Sequence, residues 1–254
     1  MTTLARADRR LILRLSLGLA AAVVLGVPFL LLALLVRDNW SPLIRLDMSV
    51  ANRMHVVALD HHWLVTLLKT ISDVFDPITF RVVTTVVALV LFWRRRPRLA
   101  IWTLVTIWGA ALFGVLLKVA VGRARPDLLD AVATAPGRSF PSGHALTSMV
   151  GCAVLLLLVT PLLRRRWRAV AIAVAILIPL VVAFARVGLG VHYLSDVVAG
   201  GLLGLGWVVV TAAAFEAWRR DVGLPPSPPS EAEPEVGEHV PEPEPGDVPE
   251  PSSG

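Results

Sequence analysis

Two histidines and an aspartate have the residue types that could carry covalent chemistry. His192 and Asp196 lie four apart, so a helix would set them on one face. A carboxylate there can accept a hydrogen bond from one imidazole nitrogen, which fixes the tautomer and leaves the other nitrogen's lone pair free to attack. Upstream, Ser139-Phe140-Pro141-Ser142-Gly143-His144 reads as a helix start. Unpaired backbone N–H groups there, those of Ser142 and Gly143 included, would face an anion, and glycine lets a ligand approach the backbone closely. An ordinary serine cap with proline in the first turn would explain the start but not His144. Lys118, Arg123, Arg125, Arg138 and Arg186 add positive charge. Alone, Lys118 and Arg186 could be snorkelling cations; beside two histidines and a carboxylate they point to chemistry on a phosphate-like anion.

The elements that must position these groups are membrane helices. Of the 254 residues, 56% are hydrophobic and only 17% charged, where a soluble domain would carry nearer a quarter. The apolar residues come in long runs, predicting spans at about Leu15–Val36, Ile78–Trp93, Leu99–Val121, Ala145–Leu163, Ala169–Val187 and Tyr193–Trp218. The first run follows Arg6, Arg9, Arg10 and Arg14 but is too long for a signal peptide and has no small-x-small cleavage site, so it reads as an uncleaved span. Val56–Ile71 has apolar residues at helical spacing interrupted by Asp60, His61, His62 and Lys69. That pattern fits an amphipathic helix lying on the membrane. Cys152, the single cysteine, reads as a small buried hydrophobe.

Charge sets the topology. The net charge of +5 could suggest nucleic acid, but the arginines cluster between apolar runs, as the positive-inside rule requires. The N-terminal arginines, Arg94–Arg98, Arg164–Arg168 and Arg219-Arg220 should all be cytoplasmic. Six spans satisfy these constraints, with both termini inside; a seventh through Val56–Ile71 would put a cluster outside. The expected fold class is therefore an all-α, polytopic bundle of six transmembrane helices with an interfacial helix. Residues 1–14 form a cytoplasmic N-terminus, 15–221 the membrane domain, and 222–254 a tail rich in Pro and Glu that should be disordered and cytoplasmic. The connections 122–144 and 188–192 then face outward, together with the candidate site.

Lys118-x6-Arg125-Pro126, Pro141-Ser142-Gly143-His144 and Arg186-x5-His192-x3-Asp196 resemble, in that order, the three-block signature of the type 2 phosphatidic acid phosphatase superfamily. The resemblance covers roughly residues 75–215 and implies a phosphatase of membrane lipids. It implies that His192 is the nucleophile, that Asp196 stabilises its imidazolium, and that His144 is the acid and base. Lys118, Arg125, Ser142, Gly143 and Arg186 would bind the phosphate, with Arg123 in an uncertain supporting place. The third block usually opens with Ser-Arg; this chain has Ala185-Arg186, a loss with a modest expected effect. The implied substrate is a polyprenyl diphosphate such as undecaprenyl pyrophosphate, with phosphatidic acid and phosphatidylglycerol phosphate close behind. No His/Asp/Glu set shows metal-ligand spacing, and no metal or other cofactor is expected.

The main rival reading is a membrane anion or lipid transporter, or a binding protein without hydrolysis. Transporters usually show paired halves with interrupted spans, and no such pairing is visible. A vanadate-dependent oxidase would use a similar pocket, but such relatives are soluble. A scaffold acting through the tail remains a third reading.

Overall fold

The computed structural model describes residues 3–221; the tail 222–254 lies outside the described residues. Among these the regular elements are helical: α1 (Thr3–Arg37), α2 (Ser41–Asp60), α3 (His62–Val74), α4 (Pro77–Trp93), α5 (Pro97–Val121), α6 (Gly143–Val159), α7 (Arg165–Gly188) and α8 (Leu194–Asp221), with a 3-10 turn at Thr160–Leu162 after α6. The helix ends follow local chemistry. Asp76 caps α4, its Oδ1 accepting the Ile78 N–H at 2.7 Å, and Pro77 opens the first turn. Gly122, at φ +71°, stops α5 by donating its N–H to the Lys118 carbonyl at 3.0 Å. Asp196 reaches back to accept the Tyr193 N–H at 2.9 Å, half of a capping box at the start of α8.

Six stretches are long and apolar enough to cross a membrane: Leu19–Arg37, His62–Trp93, Pro97–Val121, Gly143–Leu162, Arg165–Gly188 and Leu194–Glu216. Large apolar side chains such as Val86, Leu112 and Leu180 are more than half exposed along them, as suits helices that face lipid chains. The chain is thus an all-helical, multi-pass membrane protein. Cys152 is buried and free, as expected of a small apolar filler.

The stretch Val56–Ile71 departs from the single interfacial helix expected. The chain breaks at His61 (φ −132°, ψ 79°), so the stretch divides between the end of α2 and most of α3. The cause is packing. Leu43, Asp47, Ala51, His55 and Ala58 form a buried face on α2, and α3 sets Val65 and Leu68 into a cluster with Ala185 of α7 and Leu189 just after it. One straight helix could not make both contacts. The second candidate span accordingly runs through α3 and α4, with a break at Phe75 and Asp76.

Helix α6 packs against α4, α5, α7 and α8, around Trp102, Ile107, Leu146, Val150, Val154 and Val208. Small residues set the depth of the α6–α8 contact, as is common where helices meet in membranes. A Cβ on Gly200 would lie 2.7 Å from the Ser142 carbonyl oxygen, and one on Gly204 2.9 Å from that of Leu146. These obstacles are backbone and cannot rotate away. Gly200→Ala should therefore destabilise the fold by about 1–3 kcal/mol and lower activity together with stability. Thermal unfolding in detergent checks this; an unchanged midpoint would mean that the two helices are not held at this distance.

The alternation of helices puts the arginine-rich turns after α4 and α6 at one end of the bundle. The long connection after α5 and the short one after α7 lie at the other.

Candidate active site

The residues of the three sequence blocks converge at that second end. His192 occupies the turn between α7 and α8 and is 1% exposed. It precedes α8 by two residues instead of lying within it, so helical spacing alone does not bring it to Asp196. Gly190, at φ +67°, turns the chain, and the His192 Nδ1 faces Asp196 Oδ2 at 3.4 Å. That is an electrostatic approach, longer than a good hydrogen bond. The other ring nitrogen, Nε2, lies 3.1 Å from Arg125 Nη1. A guanidinium can only donate, so Nε2 is the acceptor, the ring proton sits on Nδ1 toward Asp196, and the free lone pair faces the cations.

Asp196 is fully buried and held on several sides. Its Oδ1 accepts from Arg123 Nη1 at 2.7 Å; its Oδ2 accepts from the Ser139 hydroxyl and the Tyr193 N–H. Arg123 continues the network. Its Nη1 donates to Ser195 Oγ at 2.7 Å, its Nη2 donates to Asp47 Oδ2 at 2.7 Å, and its guanidinium lies 4.0 Å from the centre of the Tyr193 ring. Asp47, also fully buried, accepts from the Ser195 N–H at 3.0 Å and from the Ser195 hydroxyl at 2.5 Å. Arg123 is therefore a clamp between two carboxylates, its charge already matched.

The other cations are held differently. Arg125 donates to the carbonyls of Val191 (2.7 Å), Pro136 (2.9 Å) and Gly137 (3.2 Å). Lys118 Nζ donates to the Arg138 carbonyl at 3.2 Å, and Arg138 itself bonds the Gly122 carbonyl at 2.9 Å. Arg186 Nη1 donates to the Ser72 hydroxyl at 2.6 Å, while its buried Nε has no partner. Ser72, on α3, thus gives Arg186 a hydroxyl partner; Ala185 packs its methyl among Ala58, Val65 and Leu68 instead.

At the start of α6 one expectation needs correction. The Ser142 N–H is not free for an anion, because it donates to the Asp196 carbonyl at 3.0 Å. The Ser142 hydroxyl is buried without a partner, and the space beside the Gly143 Cα is open. His144 lies close enough to Lys118, Arg125, Arg186 and His192 to feel their charge. Its Nε2 is 3.4 Å from Asp76 Oδ2, the oxygen not used to cap α4. His61 and His62 are both exposed.

All eight anticipated site residues therefore lie in one neighbourhood, joined by four that sequence reasoning missed: Asp47, Ser72, Asp76 and Ser139. The missed signal was Asp47 in step with Leu43, Ala51, His55 and Ala58, a buried helical face.

His192 lies outside the membrane-crossing segments, and burial pushes its pKa down from 6.5 to about 4, with the charges of Arg125 and Arg186 adding to the shift and Asp196 opposing it. The imidazole is thus neutral near pH 7. For any reaction that needs this imidazole neutral, the acid limb in kcat/KM should come near pH 4 rather than 6.5 as pH falls, because kcat/KM reports the unliganded protein. The unfolded chain binds this proton first, so stability should also decline as pH falls from 6.5 toward 4. A pH–rate profile paired with unfolding midpoints checks both signs.

Fold and site together define a class: a bundle of membrane helices with a buried histidine–aspartate pair and a ring of cations at one end. The family model of the PAP2 superfamily matches residues 99–220, a segment that contains all three sequence blocks. It is 32% identical over 139 residues to an undecaprenyl-diphosphatase of Sulfolobus acidocaldarius, covering 52% of this chain and 62% of that protein. It is 37% identical over 119 residues to a lipid A 1-phosphatase of Rhizobium johnstonii, covering 43% and 45%. The chain thus spans less than two thirds of the length of these relatives. The crystal structure of a transmembrane PAP2-type phosphatidylglycerolphosphate phosphatase from Bacillus subtilis shares the fold, with a TM-score of 0.68 over 78% of this chain and 98% of that one at 23% identity. Asp47, Ser72 and Asp76 all precede the family-matched segment.

Proposed function

We propose that the protein is a lipid phosphatase that hydrolyses a phosphate monoester or diphosphate of a membrane lipid through a phosphohistidine intermediate. The observation that carries this reading is the neutral His192, its lone pair on Nε2 directed at Arg125 while Asp196 backs Nδ1. The His192 Nε2 lone pair forms the N–P bond as the P–O bond to the leaving group breaks, and Asp196 stabilises the resulting imidazolium. His144 delivers a proton to the leaving oxygen. It then takes one from the water that cleaves the N–P bond, which returns His192 to its neutral state and releases phosphate. Lys118, Arg125 and Arg186, with the Ser142 hydroxyl and the Gly143 N–H, bind the phosphoryl oxygens and stabilise charge during transfer.

A lipid substrate is supported by a cavity of about 520 Å³ between α2, α6, α7 and α8. Its apolar lining includes Ala145, Val187 and Val197, the sequence neighbours of His144, Arg186 and Asp196. A chain lying there would place its head group at the cations. Candidates are a polyprenyl diphosphate, phosphatidic acid and phosphatidylglycerol phosphate, in line with the names of the relatives. The positive-inside rule puts both termini in the cytoplasm and this site on the outer face of the cell membrane.

Purified protein should release phosphate from such lipids in detergent. Turnover should persist in EDTA, since the cations take the place of a metal, and vanadate should inhibit it. Loss of turnover in EDTA with recovery on adding Mg²⁺ would overturn the assigned role of the cations. Counterflow of labelled anion in vesicles without hydrolysis would favour a transporter instead.

A further inference from the structure

A second cavity opens behind Arg186. It has a volume of about 470 Å³ and lies between α3 and the connection after α5, bounded by Lys69, Ser72 and Asp73 on one side, Arg186 on another and residues 131–134 on the third. Its character is opposite to that of the apolar cavity on the other face of α7: its polar lining comes from an ammonium, a guanidinium, a carboxylate and the hydroxyls of Ser72 and Thr134. Nothing in the phosphoryl-transfer scheme uses Lys69, Asp73 or Thr134. Yet Arg186 belongs to both places. It is only 9% exposed, holds Ser72 through Nη1, and has a buried Nε without a partner. An unsatisfied buried donor of this kind costs free energy until an acceptor arrives.

We propose that this cleft is a head-group subsite that takes a hydroxyl-bearing group, of glycerol or sugar type, attached to the phosphate under attack. This rests on the phosphatase reading above. Position favours the leaving-group side: His144, assigned to protonate the leaving oxygen, faces Asp76, and Asp76 follows the cleft residue Asp73 by three positions around the α3–α4 junction. Chemistry favours hydroxyls over a second phosphate. A phosphate offers only acceptors and would meet the Asp73 carboxylate. A hydroxyl can donate to Asp73 or Thr134 while accepting from Lys69, and a group with several hydroxyls can satisfy all three. A lipid chain is excluded by the polarity of the walls, and the apolar cavity across α7 already suits one.

The test compares kcat/KM for two glycerolipids with matched acyl chains and for a polyprenyl diphosphate. Phosphatidylglycerol phosphate carries its phosphate on a hydroxylated head group, phosphatidic acid does not, and a polyprenyl diphosphate presents a second phosphate. The unaltered protein should prefer the hydroxylated lipid. Asp73→Ala and Lys69→Ala, both at exposed positions, should each lower that preference ratio by about tenfold, the cost of a hydrogen bond to a charged group. Thr134→Val should lower it less. Equal losses on all three lipids, no loss of preference, or preference for the diphosphate would each overturn the subsite while leaving the phosphatase reading intact. Absence of phosphate release from every lipid would instead remove that reading, and the subsite with it.

Discussion

His192→Ala should leave a folded protein whose phosphate release is lower by about 10³-fold or more, the scale expected when a covalent nucleophile is removed. The fold should tolerate the change because few contacts depend on the ring. Arg125 keeps its three backbone carbonyl partners, and Asp196 keeps Arg123, Ser139 and the Tyr193 N–H. The cost is a cavity the size of an imidazole at a residue 1% exposed, which lowers the unfolding midpoint without preventing assembly. Size-exclusion behaviour and thermal unfolding, measured beside phosphate release, separate the two effects. Substantial hydrolysis by a well-folded His192→Ala protein would take the nucleophile role away from this residue.

Asp47→Ala should act through stability first. Arg123 lies between Asp47 and Asp196 at 2.7 Å from each, and the exposures of the three side chains are 9%, 1% and 0%. Removing this carboxylate leaves Arg123 Nη2 and the Ser195 N–H and hydroxyl without their acceptor, while Arg123 Nη1 keeps Asp196. Breaking a buried ion pair in this way costs about 3–5 kcal/mol. Asp47→Asn keeps the shape and one acceptor but loses the charge, so its loss should be smaller. Because Arg123 also sets Asp196, both variants should lower kcat more than they raise KM, as expected when the geometry behind the nucleophile is disturbed. Unfolding in detergent and steady-state kinetics measure the two losses; a variant as stable and active as the parent would show that the network carries no weight.

The sequence made the site's chemistry legible and left much of its support hidden. Lys118, Arg125, His144, Arg186, His192 and Asp196 announce themselves because charged and imidazole side chains stand out at the ends of apolar runs. Six crossings were legible for the same reason, since length and hydropathy alone identify them. The division at His61 was not. A break between two amphipathic helices leaves no proline or glycine, and it depends on what α2 and α3 pack against, which is tertiary information. Asp47 and Ser72 were hidden likewise, since their partners Arg123 and Arg186 are 76 and 114 residues away. The place of Arg123 was misjudged because sequence shows a cation in a phosphate-binding block but not the two carboxylates that already satisfy it. Ala185 looked like a missing hydroxyl; the fold offers one from another helix.

The two arginines of the first block illustrate how a protein can decide which positive groups remain on offer. Arg123 is anchored by carboxylates and is electrically spent. Arg125 is anchored by peptide oxygens, which bear only partial charge, and so keeps nearly all of its attraction for a negatively charged visitor. Since main-chain atoms do the anchoring, the residues at 136 and 191 can drift in identity while the grip on that guanidinium persists, whereas position 137, at φ +75°, holds to glycine.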